Sequence, residues 1–511
     1  MVKQVINYYF IIAERLHYMF QKITEKTLIV FCLVYLIIIS VWNFVYLIQN
    51  KAAVYIFPLE LFCIVVFLVI YRLKAGKRIF AILLFVMAFC LKSYVAVRYN
   101  AAPQSDFKLI YNAAIKLAQG DFSFSNTKYF SLWSYQTGIV LYYGLLLKLG
   151  LNVIGLKICN CFFIAGVNVL VYKISERLVG DRCARFISVM YLFYPATFFL
   201  CSVLTNQHVS NFLILLGVYL YIFRKTNTVA NTVLAAVMIA IGNALRPQGI
   251  LVVAAFIIWA VIELLHKNTD KKIKVETAVK ILGFVTVYVL LGKGMSMATQ
   301  ISGLNQNGLS NNFPLYKIVV GLNSETAGCY SYEDASKLIT IKDSKLRNQR
   351  ALGLIKERLT YSDKMKKLMH GKHEKMWVKM DTTIDWGFKY LNQIGITFFR
   401  KNIVYENFKI RILKLEKVFY CFIFVLATVG VFAEIRKHKY KKGFVPISLI
   451  IAVNFAVYCM IEIQSRYRDF QMIFIFILAA VGIKYLAMLV KNNLILWHNR
   501  IYLTSVDKTI K

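Results

Sequence analysis

Leu132-Trp-Ser-Tyr-Gln-Thr-Gly-Ile-Val-Leu-Tyr-Tyr-Gly-Leu-Leu-Leu-Lys-Leu149 is long and apolar enough to cross a bilayer. Whether it crosses fixes the side of every segment after it. Upstream, apolar runs fall at about Leu28–Ile48, Val54–Tyr71 and Ile79–Val97. Lys3, Arg15, Lys22 and Lys26 precede the first run, and Arg72, Lys74, Lys77 and Arg78 lie between the second and third. Cytoplasmic connections collect Lys and Arg, so the chain emerges at Arg98 on the far side. Downstream, the basic connections are Arg224-Lys225, Lys267–Lys274 and Arg436–Lys442. They reach the cytoplasmic side only if Leu132–Leu149 does not cross. The segment is therefore expected to be juxtamembrane or re-entrant on the external face, up to about Asn152.

The later crossings are expected at Leu156–Ile174, Phe186–Cys201, Val209–Phe223, Thr228–Leu245, Gln248–Leu265, Val275–Leu291, Val418–Ala433, Phe444–Ile461 and Phe470–Val490. With the first three they make about twelve, both termini being cytoplasmic. The fold class is thus an all-α polytopic membrane protein with juxtamembrane helices and a mixed external loop region. Five regions follow: 1–97, an interfacial helix (Val5–Phe20) and three spans; 98–155, the first external loop; 156–291, a bundle of spans; 292–416, an external cap; and 417–511, the last spans and a cytoplasmic tail.

The composition agrees. Of 511 residues, 59% are hydrophobic, which excludes a simple soluble domain. The net charge of +37 would suggest nucleic acid in a soluble protein. Here cytoplasmic loops and anionic headgroups account for it, and no nucleic-acid-reading motif is present. The ten cysteines fall mostly in apolar runs and imply no disulfide framework.

Polar clusters recur at the expected external boundary. The first is Ser105-Asp106, opening an amphipathic helix with Phe107, Ile110, Ala113, Ala114 and Leu117 on one face. Asp106 serves there either as an N-cap, worth about 1 kcal/mol, or as a functional carboxylate. The second is Asn243-Ala-Leu-Arg246-Pro247-Gln248-Gly249 and the third Glu462-Ile-Gln464-Ser-Arg466-Tyr467-Arg468-Asp469. Thr205-Asn206-Gln207-His208 is a weaker fourth. Glu462 and Arg466 could be a plain i, i+4 salt bridge. One carboxylate and two arginines beside a leaflet suit an anionic lipid, because guanidinium matches phosphate geometry. His370 and His373 have metal-ligand spacing, but Lys364, Lys366, Lys367, Lys372 and Lys375 surround them, so a solvated basic helix is the reading preferred. Trp377 and Trp386 read as interface anchors. No Asp-x-Asp pair, P-loop, H-E-x-x-H or nucleophile elbow occurs.

In order, Ser105-Asp106, the Tyr135–Gly150 segment, Arg246-Pro247 and Glu462-x-Gln464-x-Arg466-Tyr467 resemble the GT-C superfamily of integral-membrane glycosyltransferases. The nearest branch is the bacterial relatives of protein O-mannosyltransferases and lipid A aminoarabinose transferases (glycosyltransferase family 39-like). The resemblance implies a GT-C-like bundle and an inverting transferase of the bacterial cell envelope. A sugar would pass from a polyprenyl-phosphate donor to an extracytoplasmic glycan, protein or lipid acceptor. Asp106 would be the general base, and Arg246 and Arg466 would hold the donor phosphate. Gln464, Glu462 and Tyr467 would position them. Tyr111, Gln136, Asn206, His208 and Asn323 are further sugar or acceptor contacts; no metal or other cofactor is required. A lipid-linked sugar flippase and a polysaccharide polymerase or ligase are the alternatives.

Overall fold

The computed structural model describes residues 2–224, 229–266, 269–388, 396–398, 401–437, 440–441 and 443–509, with side chains described outside 1–25, 389–403 and 493–511. Among the described residues, seven helices are long and apolar enough to cross a membrane. They lie in α1 (Val2–Gln49), α2 (Ile56–Arg72), α3 (Lys77–Arg98), α7 (Val153–Val179), α13 (Lys271–Ile301), α19 (Tyr405–Ile435) and α21 (Arg468–Thr509). An eighth apolar unit is broken. α8 (Asp181–Leu192) and α9 (Pro195–Cys201) meet at 48°, where Pro195 cannot continue the ladder of α8. Four shorter apolar helices complete the set: Gln207–Phe223 (α10 is its regular part, Gln207–Val218), α11 (Val229–Leu245), α12 (Gly249–Leu265) and α20 (Phe444–Met460). The chain is a polytopic helical membrane protein, and its apolar helices fall on the runs read from the sequence.

The N-terminal interfacial segment is not a separate element, because α1 runs unbroken through it. Leu132–Leu149 becomes three short pieces: the end of α5 (Lys128–Leu132), a turn at Ser134–Gln136, and α6 (Thr137–Lys148). Twelve helical residues rise about 18 Å, short of the ~30 Å hydrocarbon core. Ile139, Val140 and Tyr143 on α6 are spent on Ile110, Ala113, Ala114 and Leu117 of α4 (Ser105–Ala118). The apolarity of this stretch thus serves packing against α4.

α19 and α21 form the centre of the bundle. Gly430 and Gly482 face each other there; a Cβ on Gly482 would lie 2.0 Å from the Leu426 carbonyl oxygen, and one on Gly430 2.5 Å from that of Leu478. In a bundle without solvent-driven association, such small residues let backbones approach and gain dispersion contact. Around them Phe474, Phe476, Leu478, Phe424 and Leu426 are buried. One charged group in this core is compensated by carboxylates. Arg468 lies 2.9 Å from Asp381 and 3.6 Å from Glu416, with the Tyr194 hydroxyl donating to Glu416 at 3.3 Å. Buried charge is tolerated when paired in this way. The pairing holds the segment around Asp381 against the ends of α19 and α21.

The connections 99–152, 202–206, 246–248, 302–404 and 461–467 converge at one end of the bundle, as the contacts below show. We call this the loop face. The longest, 302–404, holds α14 (Leu315–Gly321), α15 (Tyr332–Ile339), α16 (Ser344–Thr360), α17 (Ser362–His373), α18 (Ile384–Phe388) and a hairpin pairing Ile396–Phe398 antiparallel with Lys401–Ile403.

Candidate functional site

The site grows from the turn between α20 and α21. After Met460 the backbone is extended through Gln464, and Ser465–Tyr467 makes one tight turn into α21. The extended part is held by the cap: Glu462 N donates to Lys317 O at 2.8 Å and Ile463 N to Gly328 O at 2.9 Å. Contact is close enough that a Cβ on Gly321 would fall 2.3 Å from the Met460 carbonyl oxygen. Glu462 and Arg466 are therefore not a helical i, i+4 pair, and they do not touch. Arg466 Nε donates to Gln464 Oε1 at 2.6 Å, Gln464 Nε2 donates to Glu462 Oε1 at 2.9 Å, and the other Glu462 oxygen takes the Lys317 ammonium of α14. An amide stands between the carboxylate and the guanidinium. The acid's charge is satisfied by lysine, and the arginine's is not.

Arg466 is buried among aromatic rings. Its guanidinium carbon lies 4.8 Å from the centroid of Phe107, 5.4 Å from that of Trp386 and 5.6 Å from that of Tyr467. Phe107 and Trp386 meet edge-to-face at 5.6 Å. Arg246 also reaches this ring, its guanidinium carbon 5.3 Å from the Tyr467 centroid. One tyrosine ring therefore carries both guanidinium groups, backed by Tyr458 at 6.0 Å. Arg246 donates to Asn206 Oδ1 at 3.0 Å, and Asn206 in turn donates to Leu245 O at 2.8 Å. Gln207 Nε2 fastens the backbone oxygen of Arg466 at 3.0 Å. Among the described residues neither arginine forms an ion pair, and Arg246 Nε and Arg466 Nη1 are buried without a hydrogen-bond partner. Burial, then the Arg466 charge, lowers the Arg246 pKa below its ordinary value. Two like charges share a poorly hydrated place with donors unspent, which is the condition for holding an anion.

Asp106 opens α4 beside this pair, next to Phe107. It is not the helix cap. Gln104 occupies that position, no side chain caps the helix, and Ser105 is held at φ +48°. A non-glycine residue in that region is uncommon and costs of order 1 kcal/mol. The Asp106 carboxylate is half-buried and accepts no hydrogen bond from the described residues. It is nevertheless near the site: burial and then its charge raise the pKa of the Tyr129 phenol. Tyr135 is likewise raised by burial; Lys317 and Arg246 oppose this, while Tyr467 and Asp106 add to it, so Tyr135 sits amid the whole group. Gln136 donates to the Tyr129 hydroxyl at 3.2 Å.

The structure brings Asp106, Gln136, Asn206, Arg246, Glu462, Gln464, Arg466 and Tyr467 to one end of the bundle. Others lie apart. Tyr111 packs on the α4–α6 cluster. His208 is turned inward, with Nε2 3.1 Å from Leu200 O, lining an interior space with Asn211 and Asp469. Asn323 organises its own loop, donating to Asp334 at 2.8 Å and accepting from the Glu325 and Thr326 amides. His370 and His373 pack against Trp42 and Tyr35 of α1, ring centroids 4.8 and 4.9 Å apart. Trp377 is not an anchor but core, 1% exposed, and Trp386 belongs to the site. Sequence reasoning missed Lys317, an isolated lysine 145 positions from its acid. It also missed the role of Trp386, because no arginine lies near it in the sequence.

The comparisons redirect the functional reading. The family model for GPI transamidase subunit PIG-U matches residues 129–313. This is about a third of the chain, and it includes Tyr129, Gln136, Asn206 and Arg246. No curated protein matches. The match is to a GPI-anchoring family and not to the GT-C glycosyltransferases. It therefore overturns the resemblance drawn from the short polar motifs. The polyprenyl-phosphate sugar transfer that rested on it falls, and so does the role of Asp106 as base in that reaction. A bacterial plasma-membrane location has no support beyond that of a multi-pass membrane protein.

Proposed function

We propose that this chain is a membrane subunit that binds the phosphate of an anionic glycolipid at its loop face, within a larger membrane assembly. The observation that carries the reading is the Arg246–Tyr467–Arg466 arrangement: two guanidinium groups on one ring, without acidic partners, each with an unspent buried donor. Glu462, which reaches Arg466 through Gln464, is neutralised by Lys317. An incoming phosphate would accept hydrogen bonds from both guanidinium groups, while Trp386, Phe107 and Tyr467 exclude water and strengthen the attraction. Acyl chains would leave between the apolar helices. The likeness of 129–313 to GPI transamidase subunit PIG-U supports a subunit role in a complex.

The sidedness proposed is a loop face turned away from the cytoplasm. Arg72, Lys74, Lys77, Arg78, Arg177, Arg182 and Arg185 lie in or beside the short connections at the other end. The lysines of 302–404 lie in a connection too long for that rule to govern.

The test is equilibrium binding of phosphatidylinositol, with phosphatidylcholine as reference, to the purified protein in detergent. R246A and R466A should each weaken phosphatidylinositol binding about tenfold, equal to about 1.4 kcal/mol. R246K and R466K should recover part of it, because lysine keeps the charge but not the fork. Equal affinity of wild type and both alanine variants would overturn the proposal.

A further inference from the structure

α17 carries a cluster of exposed basic residues apart from the arginine site. Its buried arc is Leu368 and Lys372, flanked by Met365 and Met369. Lys372 donates to the carbonyl oxygens of Tyr458, Cys459 and Ile461 at 3.0, 2.9 and 2.7 Å, closing the end of the apolar helix α20. Lys366, Lys367 and His370 on the far side, and Lys364 one turn before Leu368, are exposed. Lys364 and Lys366 form no ion pair among the described residues, and Lys367 has only the exposed Glu325 at 3.4 Å. The C-terminal end of this helix packs against α1. His370 packs on Trp42 with ring centroids 4.8 Å apart, and Trp42 lies in the membrane-spanning part of α1 among exposed Val41, Phe44 and Val45. A twelve-residue helix rises about 18 Å, so all three lysines lie within that distance of the contact with α1. Tyr361, half exposed where the helix begins, adds an amphipathic ring of the kind enriched at headgroup depth.

We propose that α17 is an interfacial basic helix that binds the anionic headgroups of the leaflet on the loop face. Bilayer phosphates, rather than an acidic protein, are the occupant because one end of the helix is fixed to two membrane helices, α1 and α20. Lysine stems can lie along the apolar boundary while the ammonium groups reach the phosphates. The contact would hold the cap, and Lys317 with it, over the arginine site.

The experiment is amine acylation of the full-length protein in nanodiscs of phosphatidylcholine alone or with phosphatidylglycerol, read lysine by lysine by mass spectrometry. Lys108, exposed on α4 at the same face, reports the general surface potential. Phosphatidylglycerol should slow labelling of Lys364, Lys366 and Lys367 about threefold or more relative to Lys108. About 0.5 M NaCl should remove the difference by shortening the screening length. Labelling that slows no more than at Lys108, or slows only when a second protein is added, would overturn the proposal. Neither outcome bears on phosphatidylinositol binding by Arg246 and Arg466.

Discussion

Replacing Lys317 with Met tests the relay behind Arg466. The Lys317–Glu462 pair is asymmetric: the lysine side chain is 34% exposed and the glutamate 3%. Removing one member of a fully buried pair costs about 3–5 kcal/mol, and partial exposure of the lysine reduces this to about 2 kcal/mol. Glu462 would then be a buried carboxylate without a cation. The nearest unpaired guanidinium is Arg466, one amide away through Gln464. Arg466 would be drawn to Glu462 and its charge lost to the anion site. K317M should therefore lower thermal stability in detergent and weaken phosphatidylinositol binding about tenfold. The double variant K317M/E462Q removes both charges and keeps an amide that can bond Gln464, so it should regain most of the affinity. A K317M protein that binds like wild type, or a double variant as weak as the single, would refute the relay.

Further expectations follow from the same geometry. D106N should leave thermal stability within about 0.5 kcal/mol of wild type, since the carboxylate does not cap α4 and accepts no hydrogen bond from the described residues, and it should strengthen anion binding by removing a like charge; a loss above 1 kcal/mol would show a structural role. W386A should weaken binding by opening Arg466 to water, measurable in the same assay, with little change in R466A-background affinity. G321A should loosen the cap from the α20–α21 turn, because its Cβ would meet the Met460 carbonyl oxygen at 2.3 Å; faster hydrogen exchange at 460–464 would report it. Burial, then His370, lowers the His373 pKa to about 4 from 6.5. Between those values the unfolded chain binds more protons than the folded one, so docking of α17 should weaken as pH falls from about 6.5 to about 4. Hydrogen exchange over 362–378, corrected for intrinsic rate, should then rise more in wild type than in H373F.

The membrane architecture was legible because its physics is local. Twenty apolar residues have few places to go other than a bilayer, and the basic connections count crossings. Charge parity kept Leu132–Leu149 out of the set of spans without reference to its hydropathy, and α6 is accordingly too short to cross. The convergence of Arg246 and Arg466 was legible for the same reason: both lie at span ends on one face. What was not legible depends on distant pairing. Nothing near Glu462 indicates Lys317, and spacing alone suggested Arg466 as its partner, on the assumption of a helix that the cap pulls straight. Asp106 looked like a cap because Ser and Asp favour that position; the left-handed turn at Ser105 moves the cap to Gln104. The glycosyltransferase resemblance failed for a related reason. Apart from the Tyr135–Gly150 segment its motifs were two to four named residues at span ends, and ionisable residues at such places serve membrane proteins of many functions.

The most direct measurement is photocrosslinking of the wild-type protein in nanodiscs with phosphatidylinositol carrying a diazirine on its headgroup, followed by peptide mapping. Labelling within Tyr129–Gln136, at Arg246 and across Ser465–Tyr467, competed by unlabelled phosphatidylinositol and lost in R246A/R466A, is the result the account predicts. Labelling confined to the opposite end of the bundle, or unchanged in that double variant, would contradict it.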